Sequence, residues 1–254
     1  MNIMIINGSP KKRGGASAFF ARVLRCMLFP HKVKTISIGT SKDYHEIYEN
    51  LHNTDTVVIS VPLYVDSIPS HFIYFLKQME YYCKSNKCRF MLYVISNSGF
   101  VGGHQNQAHL EQYKCWCERA NITWGGGLGI GGGVMLHVVF YVTLLLSILQ
   151  FIIGIFFNIV FGKPAIDNAL LSSFIRSVII WLFFSSGMLF FEFMVAWAVK
   201  NKRSIKTKYT RVMLPSFIFI VFADIFMALS ALLHGKLVFS LFKRVECKNE
   251  TTDT

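Results

Sequence analysis

Three apolar runs in the C-terminal half limit what this chain can become. Val134 to Phe161 holds no Asp, Glu, Lys or Arg, Leu170 to Val199 holds only Arg176 and Glu192, and Val212 to Leu233 holds only Asp224. At about 1.5 Å per helical residue, each run is long enough to cross roughly 30 Å of hydrocarbon. One such run could be a buried globular helix, but three in succession predict a transmembrane region over 134–234 with about three helices, followed by a polar tail over 235–254. The side of the membrane follows from charge. Lys200, Lys202, Arg203, Lys206, Lys208 and Arg211 crowd the second connection, whereas Gly162 to Ala169 carries only Lys163 and Asp167. The basic connection is therefore expected in the cytoplasm. Three full spans then put the tail outside, while Lys236, Lys243 and Arg244 favour the inside, which leaves an interfacial or re-entrant third segment open.

The first half reads differently. Ile3–Ile6, Val33–Ile38, Asp55–Val61, Arg89–Ser96 and a short run at Ile122–Trp124 are β-prone. Helical patterns separate them, beginning near Ala16 and then over 43–53, 70–82 and 105–120. Strands alternating with helices at this spacing predict an α/β domain over 1–124, a doubly wound parallel sheet of five strands in the order 2-1-3-4-5. In that order the chain reverses between the first and third strands, so the loops after them flank one crevice. The first of those loops, Gly8-Ser9-Pro10-Lys11-Lys12-Arg13-Gly14-Gly15-Ala16-Ser17, is small, basic and glycine-bearing, and it opens a helix whose free N–H groups favour an anion. The N-terminus shows no basic segment ahead of a long apolar core, so this domain is expected on the cytoplasmic side.

Gly8-Ser9-Pro10 with Ser17, Pro62-Leu63-Tyr64 with Ile68-Pro69, and Ser98-Gly99 with Gly102-Gly103 fall in order on successive strand ends. The set resembles the three flavin-contacting loops of the NAD(P)H-dependent FMN reductase branch of the flavodoxin-like flavoproteins, over roughly residues 1–130. The resemblance implies a flavodoxin-like fold with FMN as cofactor and NAD(P)H as co-substrate. It places Ser9, Lys11 and Ser17 on the FMN phosphate. Pro62, Leu63, Tyr64 and Val65 would lie along the isoalloxazine ring, and Asn97, Ser98 and Gly99 would close its other side. It is also compatible with a homodimer. The segment between strands two and three contains no cysteine, unlike the related iron-sulfur flavoproteins, so no metal centre is expected. Cys26, Cys83, Cys88 and Cys247 are scattered, and Cys115-Trp116-Cys117 has the wrong spacing for zinc.

A net charge of +12 raises nucleic acid as a partner, but the charge is spread over both halves and its densest run in the membrane half lies between two spans. Attraction to anionic lipid accounts for it without a nucleic-acid partner. Gly125 to Gly133 is seven glycines interrupted by Leu128 and Ile130. It reads either as a flexible linker over 125–133 or as a loop whose backbone approaches the flavin edge. On the linker reading, a fragment ending near Gly127 keeps every strand and all three loops. No dedicated catalytic acid or base stands out. His104, beside the third loop, is either a proton donor or a surface residue. The function expected is a membrane-anchored NAD(P)H-dependent flavin oxidoreductase of the cell membrane that passes electrons through FMN to a small-molecule acceptor, a quinone among the candidates. The alternative is a non-enzymic membrane sensor or scaffold with the same binding domain.

Overall fold

Six parallel strands form one sheet in the order β2-β1-β3-β4-β5-β6. The computed structural model describes residues 1–11, 14–38, 41–64, 67–233 and 235, so the expected tail beyond 235 lies outside the described residues. β1 (Asn2–Asn7), β3 (Thr56–Pro62) and β4 (Met91–Asn97) are buried along nearly their whole length, as strands covered on both faces must be. On one face α2 (Ser41–Leu51), α3 (Ser70–Asn86) and α4 (Gln107–Ala120) close a core built on Met4, Ile6, Val57, Ile59, Phe72 and Phe75. On the other lies α1 (Ala16–Met27), burying Phe19, Phe20, Ala21 and Leu24.

The sequence reading stops the domain at 124; the structure does not. β5 runs from Thr123 to Ile130 and pairs with β4 through Ile130, so most of the expected glycine linker is a central strand. Gly126, at φ +137°, sits where the β4–β5 register shifts, forming a bulge that an L side chain resists. A Cβ on Gly129 would lie 2.7 Å from the Tyr209 ring and 2.8 Å from Gly103 O. The glycines are there because neighbours press against the backbone, and they are not a sign of flexibility.

The sixth strand, β6 (Lys208–Thr210), was not expected. It comes from the basic connection and pairs in parallel with β5. The crossover between the two is a hairpin of two long helices, α5 (Gly133–Val160) and α6 (Asn168–Lys200). α6 has two jobs. Its first half is mostly exposed, whereas Ser185, Met188, Glu192, Val195, Ala196, Ala198 and Val199 are buried, at the spacing of one helical face. Tyr93, on the α1 side of β4, donates its hydroxyl to Ala198 O at 3.1 Å and to Arg203 O at 2.7 Å. Lys200 Nζ reaches Phe29 O at 3.0 Å, Lys202 pairs with Asp55 at 2.7 Å, and Ile205 N donates to Gly125 O at 2.7 Å. The second half of α6 is thus a covering helix of the sheet, and residues 200–211 are part of the same body as β1.

Met1–Met213 forms one compact unit and Leu214–Thr254 a second. The second unit carries α7 (Ser216–Leu233), with Asp224 in an otherwise apolar helix. By length and composition α5, α6 and α7 can each cross a membrane.

A fragment of residues 1–130 therefore lacks β6 and the half of α6 that covers the second sheet face together with α1. It should show no cooperative unfolding transition by circular dichroism, while residues 1–213 in detergent should show one; a sharp transition and a monomeric sieving profile for 1–130 would overturn this architecture. A second test concerns Glu192, which is fully buried with neither carboxyl oxygen hydrogen-bonded to a described residue. Burying a polar group without a partner costs about 1–3 kcal/mol by protein mutational measures. Glu192→Met should accordingly raise the thermal midpoint in detergent, and a lowered midpoint would show that the carboxyl has a partner.

Candidate functional site

The carboxyl ends of β1, β3 and β4 converge on one cleft of about 170 Å3, lined by Ser9, Lys11, Gly14, Gly15, Ala16, Ser17, Pro62, Leu63, Tyr64, Asn97, Ser98, Gly99, Val134 and His137. Every described residue of the expected set is on this wall; Val65 lies outside the described residues. The loop after β1 folds on itself, with Ser9 N donating to Asn7 Oδ1 at 3.2 Å and Lys11 N to Ser9 Oγ at 3.3 Å. Gly8 N is held by Ser60 O at 2.9 Å. α1 then begins at Ala16, after Gly15 at the N-cap position and without a side-chain cap, so its first-turn N–H groups remain to face an anion. Among the described residues lining the cleft, Lys11 brings the one ammonium group.

Asn97 ties the three loops together. Its Nδ2 donates to Ser17 Oγ at 2.8 Å and to Val61 O at 3.0 Å, and its own carbonyl accepts from Leu63 N at 2.8 Å. Because Ser17 accepts from Asn97, its hydroxyl proton is left to donate elsewhere. Tyr64 and Ser67 exchange backbone hydrogen bonds at 3.2 and 3.0 Å, closing the second loop. Tyr64 and Gly99 are exposed at the rim, and a Cβ on Gly99 would meet nothing within 4 Å.

Behind the third loop lies a buried polar network that sequence reasoning missed. Ser96 Oγ donates to Asn106 Oδ1 at 2.7 Å and lies 2.7 Å from His109 Nδ1. Asn106 Nδ2 reaches Ser98 Oγ at 3.3 Å, Gly103 O at 3.0 Å and Ile130 O at 3.3 Å. With its proton directed to Asn106, Ser96 accepts from His109 Nδ1–H, which fixes the neutral tautomer. His109 Nε2 has no partner among the described residues, and burial lowers the His109 pKa to about 4. The signal was in the sequence as Ser96 and Ser98 alternating on a strand end, with Asn106 and His109 three apart, but only the β4–α4 packing joins them. His104 is exposed, its ring 4.2 Å from that of Tyr209, and it does not line the cleft.

Val134 and His137 were also missed as site residues, because α5 read as membrane span alone. In fact α5 starts at the site. Gly133 N donates to Ser98 O at 2.8 Å and Gly132 N to Phe100 O at 2.6 Å. His137 packs its ring 5.0 Å from Phe19 and 5.3 Å from Tyr141.

No family model matches the chain, and no curated protein sequence matches it. Solved structures similar to the chain cover about half of it. Among them is the Trp repressor binding protein from Bacillus subtilis, at 15% identity and a TM-score of 0.42 over 51% of this chain and 84% of that one. Another is the flavodoxin, WrbA-like protein from Agrobacterium tumefaciens, at 13% identity and 0.40 over 48% and 75%. A third is an NADPH-quinone reductase from P. pentosaceus, at 13% identity and 0.39 over 52% and 84%.

His109 gives the site a pH signature. Unfolded histidine binds a proton near pH 6.5, whereas His109 in the fold does so only near pH 4. Between those values the unfolded state holds more protons, so stability falls as pH drops through the window, by on the order of 3 kcal/mol in all. His109→Gln should flatten the dependence of the denaturation midpoint on pH between 4 and 6.5. An unchanged slope would place the titration elsewhere.

Proposed function

We propose that this chain is a membrane-anchored flavin oxidoreductase that binds FMN in the cleft and passes electrons from NAD(P)H to an acceptor. The observation that carries the reading is the meeting, at three strand ends, of an uncapped helix N-terminus, the Ser9 and Ser17 hydroxyls and the Lys11 ammonium. This donor set suits a phosphate. Ser9, Lys11, Ser17 and the first-turn amides of α1 would hold the FMN phosphate, Pro62 to Val65 would flank the ring, and Asn97 to Gly99 would close its other side. At about 170 Å3 the cleft is smaller than the roughly 300 Å3 at which ligand pockets begin. The phosphate end therefore takes the enclosed part and the ring takes the open rim at Tyr64 and Gly99. FMN, when bound, supplies a two-electron carrier between a hydride donor and an acceptor; the chain supplies binding, orientation and exclusion of water.

The membrane reading rests on α5, α6 and α7 and on the basic residues between Lys200 and Arg211. Because that segment shares a body with the sheet, the positive-inside preference puts the whole domain on the cytoplasmic face. A second reading, a membrane sensor, draws on one observation: the hydrogen bond from Gly133 N to Ser98 O joins the wall of the site directly to the first span.

Replacing Ser9 and Ser17 together by Ala removes two hydrogen bonds to a charged phosphate, each worth roughly 1.5–3 kcal/mol. FMN affinity, measured by quenching of flavin fluorescence on the folded full-length protein, should fall by at least about a hundredfold. Unchanged affinity would remove the phosphate assignment. FMN binding without NAD(P)H oxidation toward any acceptor would favour the sensor.

A further inference from the structure

The depth of the cleft relative to a bilayer can be read from α5. The helix has 28 residues, about 42 Å at 1.5 Å per residue, against a hydrocarbon core of about 30 Å. Its C-terminal end is marked by the turn carrying Lys163 and Asp167. The excess, about 12 Å or eight residues, therefore falls at the N-terminal end, putting residues 133–140 at headgroup depth and Tyr141 at the hydrocarbon boundary. A second observation sets the same level. Trp181 of α6 packs its ring 5.0 Å from Phe140 and donates Nε1–H to Phe140 O at 3.1 Å, which places a Trp beside Tyr141 as an interfacial pair. The guanidinium of Arg22 stands 6.0 Å over the Tyr141 ring, at the depth of lipid phosphates.

His137 lies one helical turn below Tyr141 and lines the cleft together with Val134. Tyr64 and Val134 on the cleft wall are 46% and 45% exposed, and Phe100, next to the lining residue Gly99 and hydrogen-bonded through its carbonyl to Gly132 N, is 53% exposed. Apolar side chains so exposed beside a polar cleft suit contact with lipid better than contact with water. The His137 ring nitrogens, on the cleft wall, make no hydrogen bond to a described residue.

We propose that the cleft receives its electron acceptor from the bilayer and not from the cytosol: a flat, apolar, carbonyl-bearing ring of the quinone class passes Tyr64, Phe100 and Val134, and its carbonyl accepts a hydrogen bond from His137. The proposal rests on the oxidoreductase reading for its purpose, but the route itself is a binding statement that can be tested without turnover. A water-soluble acceptor arriving from the cytosol is the competing source.

The experiment uses the full chain in lipid nanodiscs with a photoreactive quinone carrying an isoprenoid tail, without NAD(P)H, and mass spectrometry of the labelled peptides. Labelling should map to peptides bearing Tyr64, Phe100, Val134 or His137 and be competed by the untagged quinone. His137→Leu should reduce that labelling at least fivefold, and His137→Gln, which keeps a donor, should restore most of it. In turnover, Phe100→Asp should raise KM for the tailed quinone at least tenfold more than KM for a water-soluble acceptor. Labelling confined to other faces of the hairpin, equal labelling of the Leu and Gln variants, or parallel KM shifts for both acceptors would overturn the route. Labelling at the cleft in a protein that oxidises no NAD(P)H would overturn the reductase reading and leave the route standing.

Discussion

A parallel sheet with two apolar faces must cover both, and here α1 covers part of the second face while the buried half of α6, a helix of the long apolar hairpin, covers the rest. Everything else about the architecture follows from that burial. Since Met188, Val195, Ala196 and Val199 belong to the packing of the sheet, α5 and α6 cannot swing freely on a tether. The hairpin leaves the sheet at its carboxyl edge, where a doubly wound fold places its ligand crevice. The cleft and α5 are consequently neighbours by construction, joined through the hydrogen bonds of Gly132 and Gly133 to Phe100 and Ser98.

Two polar hubs hold the cleft in shape, and both are amides. Asn97 joins α1, β3 and the second loop, while Asn106 joins the third loop to the end of β5. A buried side-chain amide has both donors and an acceptor, so one residue can satisfy several backbone groups that end at different strands. The same economy raises the stakes: a half-satisfied network in a low-dielectric interior costs more than an apolar one. Ser96, Ser98 and His109 complete the second hub, which explains why a histidine sits unprotonated and fully enclosed behind the third loop.

The N-terminal elements were legible because each is set by local pattern. Apolar β-rich runs of four to eight residues, broken by glycine, proline and helical periodicity, specify β1 to β4 and α1 to α4 with boundaries shifted by a few residues. Pro62 and Tyr64 could be placed on the crevice because strand order brings the loops after the first and third strands together, whereas Asn97 and Gly99 were placed there by the resemblance to the flavin-contacting loops. β5 was not legible. Glycine lowers strand propensity when nothing contacts it, and its use here comes from Tyr209, Gly103 and Ile205 lying against the backbone, all distant in sequence. β6, three residues inside a basic connection, carries no periodicity at all.

By itself the sequence determined the alternation that makes a doubly wound half, the loops that end at its crevice, and three helices apolar enough for a bilayer, since hydrophobic period and run length are local quantities. Only the tertiary structure decided that the sheet continues past residue 124, that α6 divides its length between an exposed apolar half and a sheet cover, and that His137 and Val134 line the cleft. The physical reason is that an apolar helical residue reads the same whether lipid or a sheet covers it. Burial against Tyr93 and β5 distinguishes the two, and that contact joins residues more than a hundred positions apart.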